Sequence, residues 1–294
     1  MEIALQQIVN AISLGGTYAL LALGLAIVYN IMGLINFAHG EIMTLSGYAM
    51  FFAVSAGLPL PAVAAAAIVT GMVAAIAMER IAFRPVRGAS GVTLLLTSFA
   101  VSAILQVSFQ NLVSPRPRGV PLPEVFNEMI EVGGLSIGVI QASSIAIVIV
   151  LLVLLVVFLR RTTLGISMRA AAQDFTVTRL MGIPANSVVA TAFAISGLLA
   201  GVAAVLWVAQ RGTVDPLMGF TPVLKAFIAA VIGGLGSLTG AAAGGFLLGA
   251  IEVLLQAALP SAALPFRDAF ALLLVIGVLL VRPQGLLGRR SERA

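Results

Sequence analysis

The sequence predicts an all-α, polytopic integral membrane protein with eight or nine transmembrane helices. Three observations predict it. The 294 residues are 61% hydrophobic and only 9% charged, where soluble domains are nearer half apolar and a quarter charged. Runs such as "AIVIVLLVLLVVFL" (145–158) and "AFALLLVIGVLLV" (269–281) carry no ionisable residue, and a spanning helix needs about 20 mostly apolar residues. Mean hydropathy is +1.14, and the basic residues gather in loops, the pattern that sets orientation in a bilayer.

Apolar length, punctuated by Gly, Pro and charge, marks spans at 8–31, 38–56, 61–80, 91–112, 137–159, 188–209, 222–238, 240–258 and 266–282. Length alone would suggest about two soluble domains; the apolar runs replace these with one membrane domain, 1–294. The start "MEIALQQIVN" has no basic residue before its apolar run, unlike a signal peptide, so the first span is expected to be retained. The run 222–258 has two readings. It is either two crossings with a tight turn or a broken, re-entrant element, tolerated only when buried in protein.

With the N-terminus outside and the C-terminus cytoplasmic, Arg80, Arg84, Arg87, Arg160, Arg161, Arg169, Arg179, Arg282, Arg289, Arg290 and Arg293 face the cytoplasm. That is eleven of the sixteen basic residues, and the positive-inside rule prefers it. The net charge of +5 is thereby assigned to loops, with no nucleic-acid partner. The Pro-rich, then acidic segment 114–134 becomes an outer connector, or a docking surface for an external partner.

A faint repeat aligns "NIMGLINFAHGEIMTLSGYA" with "DPLMGFTPVLKAFIAAVIGG". It places Gly33 on Gly219, His39 on Lys225 and Gly47 on Gly233. The two copies run in opposite directions across the membrane, the inverted repeat of many transporters. The halves are then about 1–113 and 188–288, with 137–159 as connector span and 160–187 as a cytoplasmic loop. Small-residue stretches such as "GAAAGG" and "SGLLAG" supply close helix packing, which lipid does not otherwise drive.

Chemistry is sparse. His39 is the only histidine and there is no cysteine, so a metal site lacks ligands. Residues 39 and 41 point to different sides of a helix. No G-x-S-x-G elbow or nucleophile–base set is present. Lys225 is the only lysine, so no Walker A loop can be written and any ATP-driven motor must be another chain. Ionisable groups within a membrane are functional candidates, and His39, Glu41, Lys225 and Glu252 are those candidates. Asn36 suits an N-cap of the second span, with Glu41 in the first turns of the same helix. The loop "RRTTLGISMRAAAQDFTVTRLMGIPANS" predicts a short helix over 167–181, stopped by Gly182 and Pro184. Arg169 and Gln173 share a face, and Leu180 and Met181 form an apolar end. Such a helix either lies on the membrane surface or seats in a partner's groove.

Four motifs then carry a resemblance: "GLINFAHGE" (33–41), "RAAAQDFTVTRLMGI" (169–183), "LKAFIAAVIGGLGSLTGAAAGG" (224–245) and "RPQGLLG" (282–288). The chain resembles the Liv-type permease subunits of bacterial high-affinity branched-chain amino-acid ABC importers. The resemblance implies a bacterial inner-membrane permease working by alternating access. Its implied partners are a second homologous permease in a heterodimer, two cytoplasmic ATPases holding ATP-Mg, and an extracytoplasmic solute-binding protein. This chain itself would hold no cofactor and no metal. The coupling helix falls on Arg169, Ala170, Ala171, Ala172, Gln173, Asp174, Met181, Gly182 and Ile183, with Ala171, Asp174 and Gly182 central. Asn36, His39 and Glu41 fall at a gate or helix break beside the pathway. Lys225 joins them, and Gly233, Gly234 and Gly236 form the small-residue region of the second half. Relatives for urea, short amides or aromatic acids share these motifs. Two other classes remain at this stage: a proton-coupled secondary transporter working through His39 and Glu41, and a membrane scaffold.

Overall fold

In the computed structural model the described residues are 2–123, 126, 128–132, 135–282 and 284–287. Arg289, Arg290 and Arg293, and parts of 114–134 and 282–288, lie outside them. The helices are α1 (Glu2–Met32), α2 (His39–Ser55), α3 (Leu60–Met78), α4 (Gly91–Leu112), α5 (Val139–Arg161), α6 (Thr163–Gln173), α7 (Phe175–Leu180), α8 (Ala185–Arg211), α9 (Phe220–Gly233), α10 (Leu238–Ala258) and α11 (Arg267–Val281). A π-helical turn, Glu79–Phe83, extends α3. Two small antiparallel pairings complete the fold. One joins β1 (Arg118–Gly119) to β4 (Thr213–Val214), and the other joins β2 (Met129–Val132) to β3 (Leu135–Gly138).

Among the described residues, seven helices are long and apolar enough to cross a membrane. α2 and α9 are shorter, at 17 and 14 residues. At 1.5 Å per residue α9 covers about 21 Å, short of a hydrocarbon core of about 30 Å. The run 222–258 therefore resolves as two antiparallel helices, α9 and α10, joined by a glycine turn. α1 and α8 are apolar on all sides and sit at the centre, as such helices must. α4, α5 and α11 lie at the periphery and turn apolar side chains outward.

The packing is two-fold. α1 lies on α10 as α8 lies on α3, and α2 packs on α3 and α8 as α9 packs on α10 and α1. Glycines make these crossings. A Cβ on Gly249 would strike Gly15 Cα and the Ala11 carbonyl, while a Cβ on Gly71 would strike the Gly197 carbonyl and Gly201 Cα. Ala11 and Gly15 of α1 thus correspond to Gly197 and Gly201 of α8. α1 and α8 run antiparallel, because Ser13 lies by Gln210 and Gly24 by Ser196. Copies related in this way have inverted topology.

One expectation needs correcting. The sequence alignment set Gly33 on Gly219 and His39 on Lys225. In the structure Gly40 and Gly219 face each other reciprocally, each leaving no room for a Cβ against the other's carbonyl. His39 is the first residue of α2 and Lys225 the sixth of α9, so His39 does not correspond to Lys225 in these two helices. Close backbone approach, which apolar letter matching does not read, sets the register.

Candidate translocation and coupling sites

The chain leaves α1 at Met32, turns at Gly33 (φ +64°) and runs without helix to Phe37. Asn36 is not the side-chain cap expected of it. Its carbonyl accepts from His39 N–H at 3.2 Å, and its side-chain amide points at Met78 Sδ, 3.7 Å away. Ala38 occupies the cap position, with no side-chain bond.

His39 is fully buried. Its Nδ1 lies 3.1 Å from Ser196 Oγ on α8, and its ring lies flush against Gly24 of α1. Gly24 precedes the end of α1 by eight residues, about 12 Å of helix. α2 therefore begins beside the body of α1, about two turns back from the end of that helix. Glu41 turns the other way: its Oε1 accepts from Ser102 Oγ at 3.0 Å and Gln106 Nε2 at 2.8 Å, both on α4. Divergence of the two side chains follows from their spacing.

Lys225 on α9 belongs to a third neighbourhood. Its Nζ lies 2.9 Å from Glu252 Oε1 on α10 and 3.1 Å from Asp268 Oδ1 on α11. Tyr18 Oη donates to Glu252 Oε2 at 3.1 Å. Among the described residues no hydrogen bond joins His39, Glu41 and Lys225 to one another. Gly233 packs against Gly240, and Gly234 and Gly236 take positive φ in the turn before α10. The last motif docks there: Leu286 and Leu287 N–H donate to the carbonyls of Ile232 and Gly233.

The predicted helix over 167–181 is two helices. The Asp174 side chain accepts from Val177 N at 2.9 Å and starts α7, breaking the run after Gln173. Thr162 caps α6 in the same way through Gly165 N at 3.0 Å. Gly182, at φ +81°, is the expected stop. Ala171 is buried against the chain's own helices, so it is not free to meet a partner. Arg169, Ala172, Gln173, Asp174, Met181 and Gly182 are exposed, and Ala170 and Ile183 are half-buried. Leu180 and Met181 are 81% and 77% exposed.

Sequence reasoning missed Glu79. It is fully buried at the π-turn, where its carboxylate accepts from Arg84 Nε (3.2 Å) and Nη2 (3.0 Å) and from Arg87. Arg87 also donates to Asn186 Oδ1 at 2.7 Å, tying α3 to the start of α8. The signal was there in "ERIAFRPVR", one acid followed by bases a turn or two on.

Apolar helices crossing at glycines define a multi-pass α-helical membrane protein. Residues 7–279 match the family of the branched-chain amino acid transport system permease component, and the chain belongs to that family. It is 38% identical to the high-affinity branched-chain amino acid transport system permease protein BraD of Pseudomonas aeruginosa, covering 97% of this chain and 96% of that protein. Its identity to the LivH protein of the same description from Escherichia coli is also 38%, with the same coverage. A probable LivH of Methanocaldococcus jannaschii is 28% identical over 95% of this chain and 91% of that one. PsaBC from Streptococcus pneumoniae, solved in complex with Fab, shares the fold, with a TM-score of 0.52 at 15% identity over 94% and 91% of the two chains.

Proposed function

We propose that this chain is a membrane-spanning permease subunit of an ABC importer and carries branched-chain amino acids inward by alternating access, driven by separate ATPase subunits. The family match over residues 7–279 carries the reading. The chain has one lysine and no Walker A loop, which suits a motor on other subunits holding ATP-Mg. A second homologous permease, two ATPases and an extracytoplasmic binding protein complete the proposed assembly in a bacterial inner membrane. The N-terminus lies outside and the C-terminus inside.

The coupling element is α7 with its Gly182 turn. Val177, Leu180 and Met181 present an apolar surface beside Arg179 on a basic, cytoplasm-facing loop, as a helix seated in a partner's groove does. Asn36, His39 and Glu41 hold the unwound start of α2 beside the pathway, and Lys225 with the Gly233–Gly236 turn forms the second half's counterpart. The halves, 1–113 and 188–288, rock about this centre, with 137–159 as connector. The test is purification in mild detergent followed by reconstitution. Co-purifying Walker-containing ATPases and leucine uptake that needs ATP support the reading. A solitary chain that transports without ATP and stops with an uncoupler overturns it.

A further inference from the structure

We infer that Lys225, Glu252 and Asp268 form a binding site in this chain for a free, zwitterionic α-amino acid with an aliphatic side chain. The inference rests on the importer reading and deepens it by placing a substrate contact within the permease.

Three observations meet at one place. A cavity of about 360 Å³ lies between α9, α10 and α11, within the size range of small-ligand sites. Apart from Thr221 its uncharged walls are apolar, with Leu224, Ile228, Leu248, Ala271 and Leu272 among them. Charge stands at one side only, where the Lys225 ammonium lies 2.9 Å from Glu252 and 3.1 Å from Asp268. Exposure is graded across these groups, with side chains 1% exposed at Glu252, 13% at Lys225 and 52% at Asp268. Glu252 is therefore the floor, fixed by Tyr18 Oη, and Asp268 is the mouth.

The chemistry selects the occupant. An α-amino acid carries a carboxylate and an ammonium on one carbon. Its carboxylate replaces Asp268 as a partner of Lys225, while its ammonium takes the released Asp268 carboxylate. One internal ion pair is exchanged for two like it, and no buried charge is left unpaired, the condition for a tolerable charge in a low-dielectric site. The aliphatic branch then fills the apolar cavity. A ligand with only a carboxylate leaves Asp268 with Arg267 Nε, 3.5 Å away, as its one remaining cation, and one with only an ammonium competes with Lys225. A polar side chain strands its amide or hydroxyl among Leu248, Ala271 and Leu272.

The test uses the full chain with its co-purifying subunits in nanodiscs, without the soluble binding protein. Binding of tritiated L-leucine is measured against 4-methylpentanoate, which lacks the amine, and isopentylamine, which lacks the carboxylate. Saturable leucine binding is expected, with each analogue at least about tenfold weaker. Asp268→Asn, at the exposed mouth, is expected to weaken leucine by at least about tenfold without weakening 4-methylpentanoate. Ala271→Phe, which fills the cavity, is expected to abolish leucine binding. Absence of saturable leucine binding, analogues equal to leucine, or an Asp268→Asn protein that binds leucine normally overturns the site. ATP-driven uptake is measured on the same preparation with binding protein added. Uptake intact without leucine binding to the permease defeats this inference alone, whereas loss of all ATP-dependent uptake defeats the importer reading.

Discussion

Gly24 and His39 make a paired test of what the lone histidine does. A Cβ on Gly24 would lie 2.7 Å from both Cε1 and Nε2 of His39 and 3.3 Å from Ser196 Oγ, well inside ordinary contact. Gly24→Ala is therefore an overpacking change in a buried site and is predicted to cost about 1–3 kcal/mol. His39→Ala empties the same space and strands Ser196 Oγ, predicted to cost about 2–5 kcal/mol, as large-to-alanine truncations in cores do. Together the two changes compensate, because the new methyl enters the vacated volume. The double variant is predicted to be more stable than the sum of the singles by about 1–2 kcal/mol. Thermal unfolding of the four proteins in nanodiscs measures the cycle. Additivity within about 0.5 kcal/mol would refute the packing argument. ATP-driven uptake by the same four proteins separates packing from chemistry. If His39 only packs, uptake returns with stability in the double variant. Restored stability without restored uptake gives the imidazole a role of its own.

Gly71→Ala and Gly249→Ala, at equivalent crossings, should each cost about 1–3 kcal/mol, while Gly91→Ala, with nothing within 4 Å, should fall within about 0.5 kcal/mol of wild type; an unfolding series that ranks them otherwise contradicts the two-fold packing. Removing Arg84 and Arg87 together leaves the fully buried Glu79 carboxylate uncompensated, a loss of about 3–5 kcal/mol, whereas Glu79→Gln frees two partly exposed arginines to water and should cost less. The opposite order in denaturation would remove the buried-anion account. Gly182→Arg adds strain of only about 1–2 kcal/mol at a positive-φ residue with open space around it, so the protein should insert and fold yet lose ATP-driven uptake; normal uptake by that variant would take the coupling role away from this turn.

Much of this architecture was legible because apolar length is a direct physical requirement of the bilayer. The segments read at 91–112, 137–159 and 240–258 became α4, α5 and α10 within a few residues. Gly182 was legible because a helix that ends in αL favours glycine. The placement of His39 was not. Nothing local distinguishes a helix that starts level with the end of α1 from one that starts about 12 Å back along it; the difference lies in Gly24 and Ser196, on other helices. The split of the 163–180 loop was readable in principle, since Asp174 is a good N-cap, but the alanine run before it favours continuation. Register between the halves was hidden because glycines in apolar helices align with one another at several offsets, and only close backbone approach chooses among them. Glu79 escaped notice because its arginine partners were already used to orient the chain.

Under the proposed coupling role, the contacts give a route from α7 to the centre. α6 is fixed: Gly165 admits no Cβ against Leu159 of α5, and Met168 and Ala171 are buried. α7 is held less tightly, and it continues through Gly182, Ile183 and Pro184 directly into α8. Movement of Leu180 and Met181 is therefore passed to α8 more readily than to α5. α8 carries Ser196, which meets His39 at the start of α2, and α2 meets the start of α9 at Gly40 and Gly219. Coupling of this kind runs through packed side chains and rigid helices, and it requires a direct test of the link. Ser196→Ala removes one hydrogen bond worth about 1 kcal/mol and alters neither α7 nor the cavity beside Lys225. We predict that the variant keeps substrate-stimulated ATP hydrolysis while the amount of leucine moved per ATP falls. An unchanged ratio would show that α8 moves α2 through its apolar surface alone, and that the Ser196–His39 contact holds the helix without transmitting force.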